Sequence, residues 1–130
     1  MKIKTIKLFL ISIITLLVFT SVSADVTGDL IQEYKAKGAS TASASRGEKL
    51  WNKDVNGRSC TTCHTLSVKN EGKHQKTGKL IKPMAPSVNP ERLTKKRKVK
   101  KWLLRNCKWT FKRECSPQEK SDILLWLSQQ

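Results

Sequence analysis

No stretch of this sequence alternates apolar and polar residues over a useful length, and no segment repeats, so neither a strand-built domain nor a repeat array is written into it. Length is limiting too. With 130 residues there is one small domain and no room for a two-domain enzyme or a large catalytic architecture. Apolar residues make up only 38% of the chain, and a good share of them fall before position 23. The remainder can build only a thin core, so a cofactor or cross-link is expected to help hold it. Acidic residues are scarcer, 10 against 26 Lys and Arg, for a formal charge of +16. Methionine and histidine occur twice each, which leaves few soft or imidazole ligands for a metal.

What is present begins with an export signal. Met1 to Lys7 is lysine-rich, Leu8 to Val22 is almost wholly apolar, and Val22-Ser23-Ala24 offers the small residues a signal peptidase reads. The apolar run falls short of the roughly 20 residues a membrane-spanning helix needs. Residues 1–24 are therefore expected to be a cleaved signal peptide, residues 25–130 the functional domain, and the periplasm its location. An oxidising compartment leaves few free thiols. The four cysteines fall into two pairs, Cys60 with Cys63 and Cys107 with Cys115.

The domain reads as all-α. Asp29 to Lys37 is amphipathic and stops at Gly38; Ala39 to Ser45 is a Ser/Thr/Ala spacer expected to be loosely packed; a second helix starts at Ser45. Asn56-Gly57 marks a turn, and Lys69 to Lys82 reads as an exposed lysine-rich loop. Asn89 followed by Pro90 looks like a helix start. Val99, Trp102, Leu103, Asn106 and Cys107 form an apolar stripe in a basic segment, and Ser116-Pro117-Gln118-Glu119 is a capping box before Ile123, Leu124, Trp126 and Leu127.

The sharpest motif is Cys60-Thr61-Thr62-Cys63-His64. Two thiols at this spacing can add to the two vinyl groups of one haem, which places the adjacent histidine beneath the iron as proximal ligand. A thioredoxin-like site would need βαβ patterning, and zinc would need two further ligands at compatible spacing. One motif implies one haem c, covalent through Cys60 and Cys63. Gly47 and Trp51 ahead of the motif, with Trp126 in the last helix, resemble the class I cytochrome c arrangement, in which terminal helices cross closely at a small residue.

Three side chains compete for the opposite face of the iron. Met84, in Pro83-Met84-Ala85-Pro86, would make a plain electron carrier, although it follows His64 closely. His74 has only polar neighbours and reads as a solvated loop residue. Asn106 lies on the apolar stripe, where an unpartnered amide costs about 1–3 kcal/mol. If the adjacent Cys107 paired with Cys115, loop closure would contribute roughly 2–3 kcal/mol and hold that turn in place. Such a bridge could be a structural staple or, beside a haem, redox-active.

From Arg46-Gly47-Glu48 onward the chain resembles the SHP-type (sphaeroides haem protein) monohaem class I cytochromes c. The likeness is densest at Cys60 to His64, Thr77 to Arg92, Arg105-Asn106-Cys107 and Glu114-Cys115. It implies a helical fold wrapped around one haem, His64 as proximal ligand, Asn106 as distal ligand and a Cys107–Cys115 disulfide. It also implies that the asparagine leaves on reduction, which lets the ferrous iron take oxygen, nitric oxide or another small diatomic. The implied electron donor is a dihaem cytochrome c linked to a membrane b-type cytochrome. Met84 is a departure, standing where the family pattern has leucine; it keeps a His64/Met84 carrier as the alternative. A gas-binding or sensing module is a second alternative, and terminal oxidoreductase activity on a diatomic stays open.

Lys95-Lys96-Arg97-Lys98, Lys100-Lys101, Arg105, Lys108, Lys112 and Arg113 form a basic block. An exported haem protein meets little nucleic acid, and the membrane is expected to be reached only through partners. The block is expected to steer an acidic redox partner, with a merely solubilising surface as the plainer alternative.

Overall fold

The computed structural model describes residues 25–130; the expected export signal lies outside the described residues. The chain is mostly helical, in the order α1 (Val26–Ala36), α2 (Ala44–Asn52), α3 (Thr61–His64), α4 (Lys96–Phe111) and α5 (Pro117–Ser128), with a two-stranded hairpin between α3 and α4. Its strands, β1 (Gly72–Lys73) and β2 (Leu80–Ile81), pair antiparallel with Gly72 opposite Ile81 and Lys73 opposite Leu80.

Helix α5 is the hub, packing on both α2 and α1. Its start is fixed by the expected capping box: Ser116 Oγ accepts from the Glu119 amide, and Glu119 accepts from the Ser116 amide at 2.8 Å. Two apolar clusters flank it. Trp51, Val68, Ala85, Ile123, Trp126 and Leu127 form one; Leu30, Tyr34, Ala39 and Leu124 form the other. Where α2 crosses α5 the approach is too close for any side chain: a Cβ on Gly47 would stand 2.1 Å from the Asp122 carbonyl oxygen. The small residue expected at the helix crossing is Gly47.

The crossing is bolted by a half-buried polar network. Asp122 accepts from the Ser43 amide at 2.7 Å, from Arg46 Nε at 2.8 Å and Nη2 at 2.9 Å, and from Gln118 Nε2 at 2.9 Å. Burial works against the Asp122 charge, but the bonds from Arg46, Ser43 and Gln118 outweigh it and hold the carboxyl below its usual range.

Helix α4 is built differently. Its first turn carries cations and no acid, which opposes the helix dipole. Glu33 of α1 supplies the missing negative charge, bridging Lys100 at 2.6 Å and Lys96 at 3.3 Å. With Lys100 the main partner, Glu33 is pulled down to about 2.

Four expectations need correction. The Ala39–Ser45 spacer is not loose: Ala39 is buried, Ser40 donates to Gln118 through its amide at 2.7 Å and its hydroxyl at 2.6 Å, and Ser43 caps α2. Hydroxyl-rich chain can lie along a helix because it meets that helix's polar side chains. The helix expected at Pro90 does not form, and α4 starts only at Lys96. Asn89 spends its amide on the Pro83 carbonyl at 2.9 Å, and Leu93 takes φ 60°, which a helix cannot hold. The Lys69–Lys82 loop contains the short ladder, with Gly72 buried. Trp102, read as part of the apolar stripe, is 47% exposed, with Lys101 and Arg105 over its ring.

Candidate haem site

The attachment motif occupies one tight turn of helix. Cys60 caps α3, the His64 amide donates to the Cys60 carbonyl at 3.1 Å, and buried Ser59 donates its amide to Thr62 Oγ1 at 3.0 Å. Thr65, at φ 62°, ends the turn. The hairpin closes over it: a Cβ on Gly72 would stand 2.0 Å from the Cys63 carbonyl oxygen and 3.0 Å from His64 Cα. Only glycine permits that approach.

Neither motif cysteine takes part in a disulfide. Burial pushes the Cys60 thiol up to about 12, with Cys63 adding to the effect. Burial, with the Arg92 guanidinium nearby, pushes His64 down to about 4, so its imidazole is neutral at pH 7, the form that ligates a metal. The ring stacks tilted on Trp51 at 5.3 Å, and its buried Nδ1 has no hydrogen-bond partner.

Met84 is tied to the segment that follows His64. Its amide and that of Ala85 donate to the Val68 carbonyl at 2.8 and 3.0 Å, four residues beyond the histidine. Its side chain packs against the cluster containing Trp51, the residue stacked on His64. Arg92 holds this turn by donating to the Pro83 carbonyl at 2.7 Å and to that of Lys82. Sequence reasoning missed Arg92; its one signal was its place among closely spaced prolines, which is weak.

Asn106 is carried by α4, whose Leu103 packs on the same cluster. It is half-buried on α4, beside Cys107, which is bridged to Cys115 with 5.6 Å between the Cα atoms. The disulfide ties the end of α4 to the start of α5. His74 is exposed in the hairpin loop, its Nδ1 accepting from the Thr77 amide at 3.2 Å.

Residues 37–127 match the family model described as "Domain of unknown function (DUF1924)". Over 106 residues the chain is 43% identical to "Cytochrome c-type protein SHP" of Cereibacter sphaeroides, covering 78% of this chain and 81% of that protein. The chain belongs to the SHP family of c-type cytochromes.

The fold agrees with known SHP. A structure described as oxidized SHP, an oxygen-binding cytochrome c, superposes with a TM-score of 0.75 at 42% identity, covering 80% of this chain and 96% of that one. Oxidized cytochrome c'' of Methylophilus methylotrophus superposes with a TM-score of 0.67 at 28% identity, covering 79% and 93%.

Haem c is the cofactor of this SHP-type chain, and its residues fit the group. Two cysteines outside any disulfide share one helical turn with a neutral imidazole that carries an unpartnered buried nitrogen. Leu66, two residues past His64, is 86% exposed, and Leu80 on β2 is 65% exposed; both offer apolar surface beside the motif. Cys60 and Cys63 would hold the porphyrin and His64 its iron.

Proposed function

We propose that this SHP-type cytochrome is an exported electron carrier whose sixth haem ligand is the Asn106 amide, released on reduction. The haem supplies a redox-active iron that takes a small diatomic, O2 or NO, when ferrous and open. An amide oxygen is a hard, weak donor, tolerable to ferric iron and poor for the softer ferrous state.

One observation carries the assignment. Met84, the only methionine among the described residues, is tied by its amide to Val68 and by its side chain to the core cluster of Trp51, the residue stacked on His64. Ligating the opposite face would mean stripping it from Val68 and from the Trp51 cluster. Asn106 has no such commitment: it approaches from α4, and its side chain makes no hydrogen bond among the described residues. The oxygen binding named for oxidized SHP supports the same reading. So does the solution structure of cytochrome c'', concerned with haem-ligand detachment, at 29% identity and a TM-score of 0.69.

The proposed setting is the periplasm, reached through the signal at residues 1–24; among the described residues no helix is long and apolar enough to cross a membrane. The proposed donor is an acidic redox protein, a dihaem cytochrome c linked to a membrane b-type cytochrome. Lys95, Arg97, Lys98, Lys101 and Arg105 are exposed and form no ion pair among the described residues, so their charge is available for steering.

Optical and EPR spectra of the ferric protein, repeated after reduction with and without CO or NO, test the assignment. A weak-field ferric signal and rapid gas uptake on reduction are expected. A low-spin ferric spectrum with the near-infrared methionine-sulfur band, indifferent to gas, would give the sixth site to Met84 and remove the ligand chemistry.

A further inference from the structure

We propose that Arg58 is the positioning residue that latches α4 to the haem-attachment turn and so controls how readily Asn106 leaves. The proposal rests on Asn106 as sixth ligand. Arg58 is half-buried and reaches 51 residues along the chain to donate from Nη1 to the Trp109 carbonyl at 3.3 Å; its guanidinium lies 5.0 Å from the centre of the Trp109 ring. That carbonyl is among the last four of α4, which have no partner within the helix. A cation there also meets the negative end of the helix dipole. One side chain thus satisfies an orphan acceptor, complements the dipole and stacks on an aromatic face.

Both ends of the latch are stiff. Val55 and Arg58 exchange backbone bonds at 2.8 and 3.2 Å across Asn56 and Gly57, and the Gly57 amide donates to Asp54 at 3.0 Å. Ser59, next in the chain, is buried and bonded into the start of the Cys60–His64 turn. At the other end, Trp109 stands three residues past Asn106, one helical turn away. A short rigid path therefore runs from the proximal attachment point to the distal side chain. The disulfide does not supply this link, because it joins α4 to α5 and not to the motif.

The latch predicts a spectroscopic effect that a merely stabilising contact would not produce. Arg58→Gln, Arg58→Lys and Trp109→Leu are to be made in the full-length holoprotein, with Asn106→Ala as reference. Ferric optical and EPR spectra read how far the weak-field signal moves toward that of Asn106→Ala, stopped-flow mixing with cyanide reads access to the ferric site, and thermal unfolding is followed separately. Arg58→Gln should move the weak-field ferric signal toward that of Asn106→Ala and speed cyanide uptake roughly tenfold. Arg58→Lys keeps the charge but not the planar fork and should fall between. Trp109→Leu, which leaves the carbonyl, should give a smaller change of the same sign. If Arg58→Gln does not fold, the other two variants carry the test.

Folded Arg58 variants with wild-type spectra and uptake, while Asn106→Ala opens the site, would overturn the latch and leave the distal ligand standing. An Asn106→Ala protein with an unchanged ferric spectrum would remove the distal reading and the latch together.

Discussion

Replacing Gly47 with alanine is the most direct probe of how the fold holds its haem-binding end. The added methyl would stand 2.1 Å from the Asp122 carbonyl oxygen, 2.6 Å from its carbon and 2.9 Å from Trp126 Cβ, against 3.4 Å at the near edge of ordinary contact. Two of these atoms are backbone, so no rotamer change relieves the overlap; α5 must withdraw by about 1 Å or more. Overpacking of this kind costs about 1–3 kcal/mol. Withdrawal also stretches the bonds from Ser43, Arg46 and Gln118 to Asp122, which lies on the moving segment. Hydrogen bonds to a charged group are worth about 1.5–3 kcal/mol. Alanine's better helix propensity returns about 1 kcal/mol. The net loss is then about 2–4 kcal/mol, or roughly 10–25 °C in Tm for a domain of this size. Urea and thermal unfolding of the holoprotein, followed by far-UV circular dichroism, measure it. A Gly47→Ala protein as stable as wild type, or more stable through helix propensity alone, would refute the close crossing.

Other perturbations address the rest of the molecule. Met84→Leu should cost less than about 1.5 kcal/mol, because the volume is conserved, and should leave the ferric spectrum unchanged; loss of a low-spin signal on this substitution would identify Met84 as ligand. Serine at both Cys107 and Cys115 should lower the unfolding free energy by roughly 2–3 kcal/mol through the released loop, read from urea midpoints in the ferric protein. Acid should destabilise the fold. Glu33, held near 2 mainly by Lys100, Glu119, lowered mainly by Arg113, and Asp122 all ionise more easily folded than unfolded. Their contribution is complete above the unfolded carboxylate range, about pH 4, and is lost as pH falls through the folded values. Urea midpoints should therefore drop between pH 6 and pH 3, and Asp122→Asn should flatten that drop; a wild-type midpoint independent of pH would contradict the assignment. Reduction by an acidic donor protein should slow as salt rises, and charge reversal at Lys98 should weaken that dependence without altering the ferric spectrum.

Legibility in the sequence followed how local each feature is. The α5 capping box lies within four consecutive residues and the attachment motif within five, while Gly47 stood out through the resemblance to class I cytochromes c, whose terminal helices cross at a small residue. Arg58 and Arg92 were not legible. Each acts on a carbonyl supplied by a distant or loop segment, and nothing in the neighbouring residues announces that partner. Asn89 misled for the same reason: its side chain can cap a helix or bond a loop carbonyl, and the Pro83 carbonyl, six residues back, took it.

By itself the sequence determined a mostly helical, single-haem chain of strong positive charge, because periodicity, cap residues and thiol spacing are local properties that survive without the fold. Tertiary structure alone decided where Met84 lies. As a string of letters, Met84 and Asn106 were both open candidates for the iron. Packing put the Met84 side chain against the Trp51 and Val68 core, while Asn106 stands half-buried on α4, which Glu33, Arg58 and the disulfide bind to the body. Which face of a cofactor a residue meets depends on contacts across the chain, and those exist only once the chain has closed on itself.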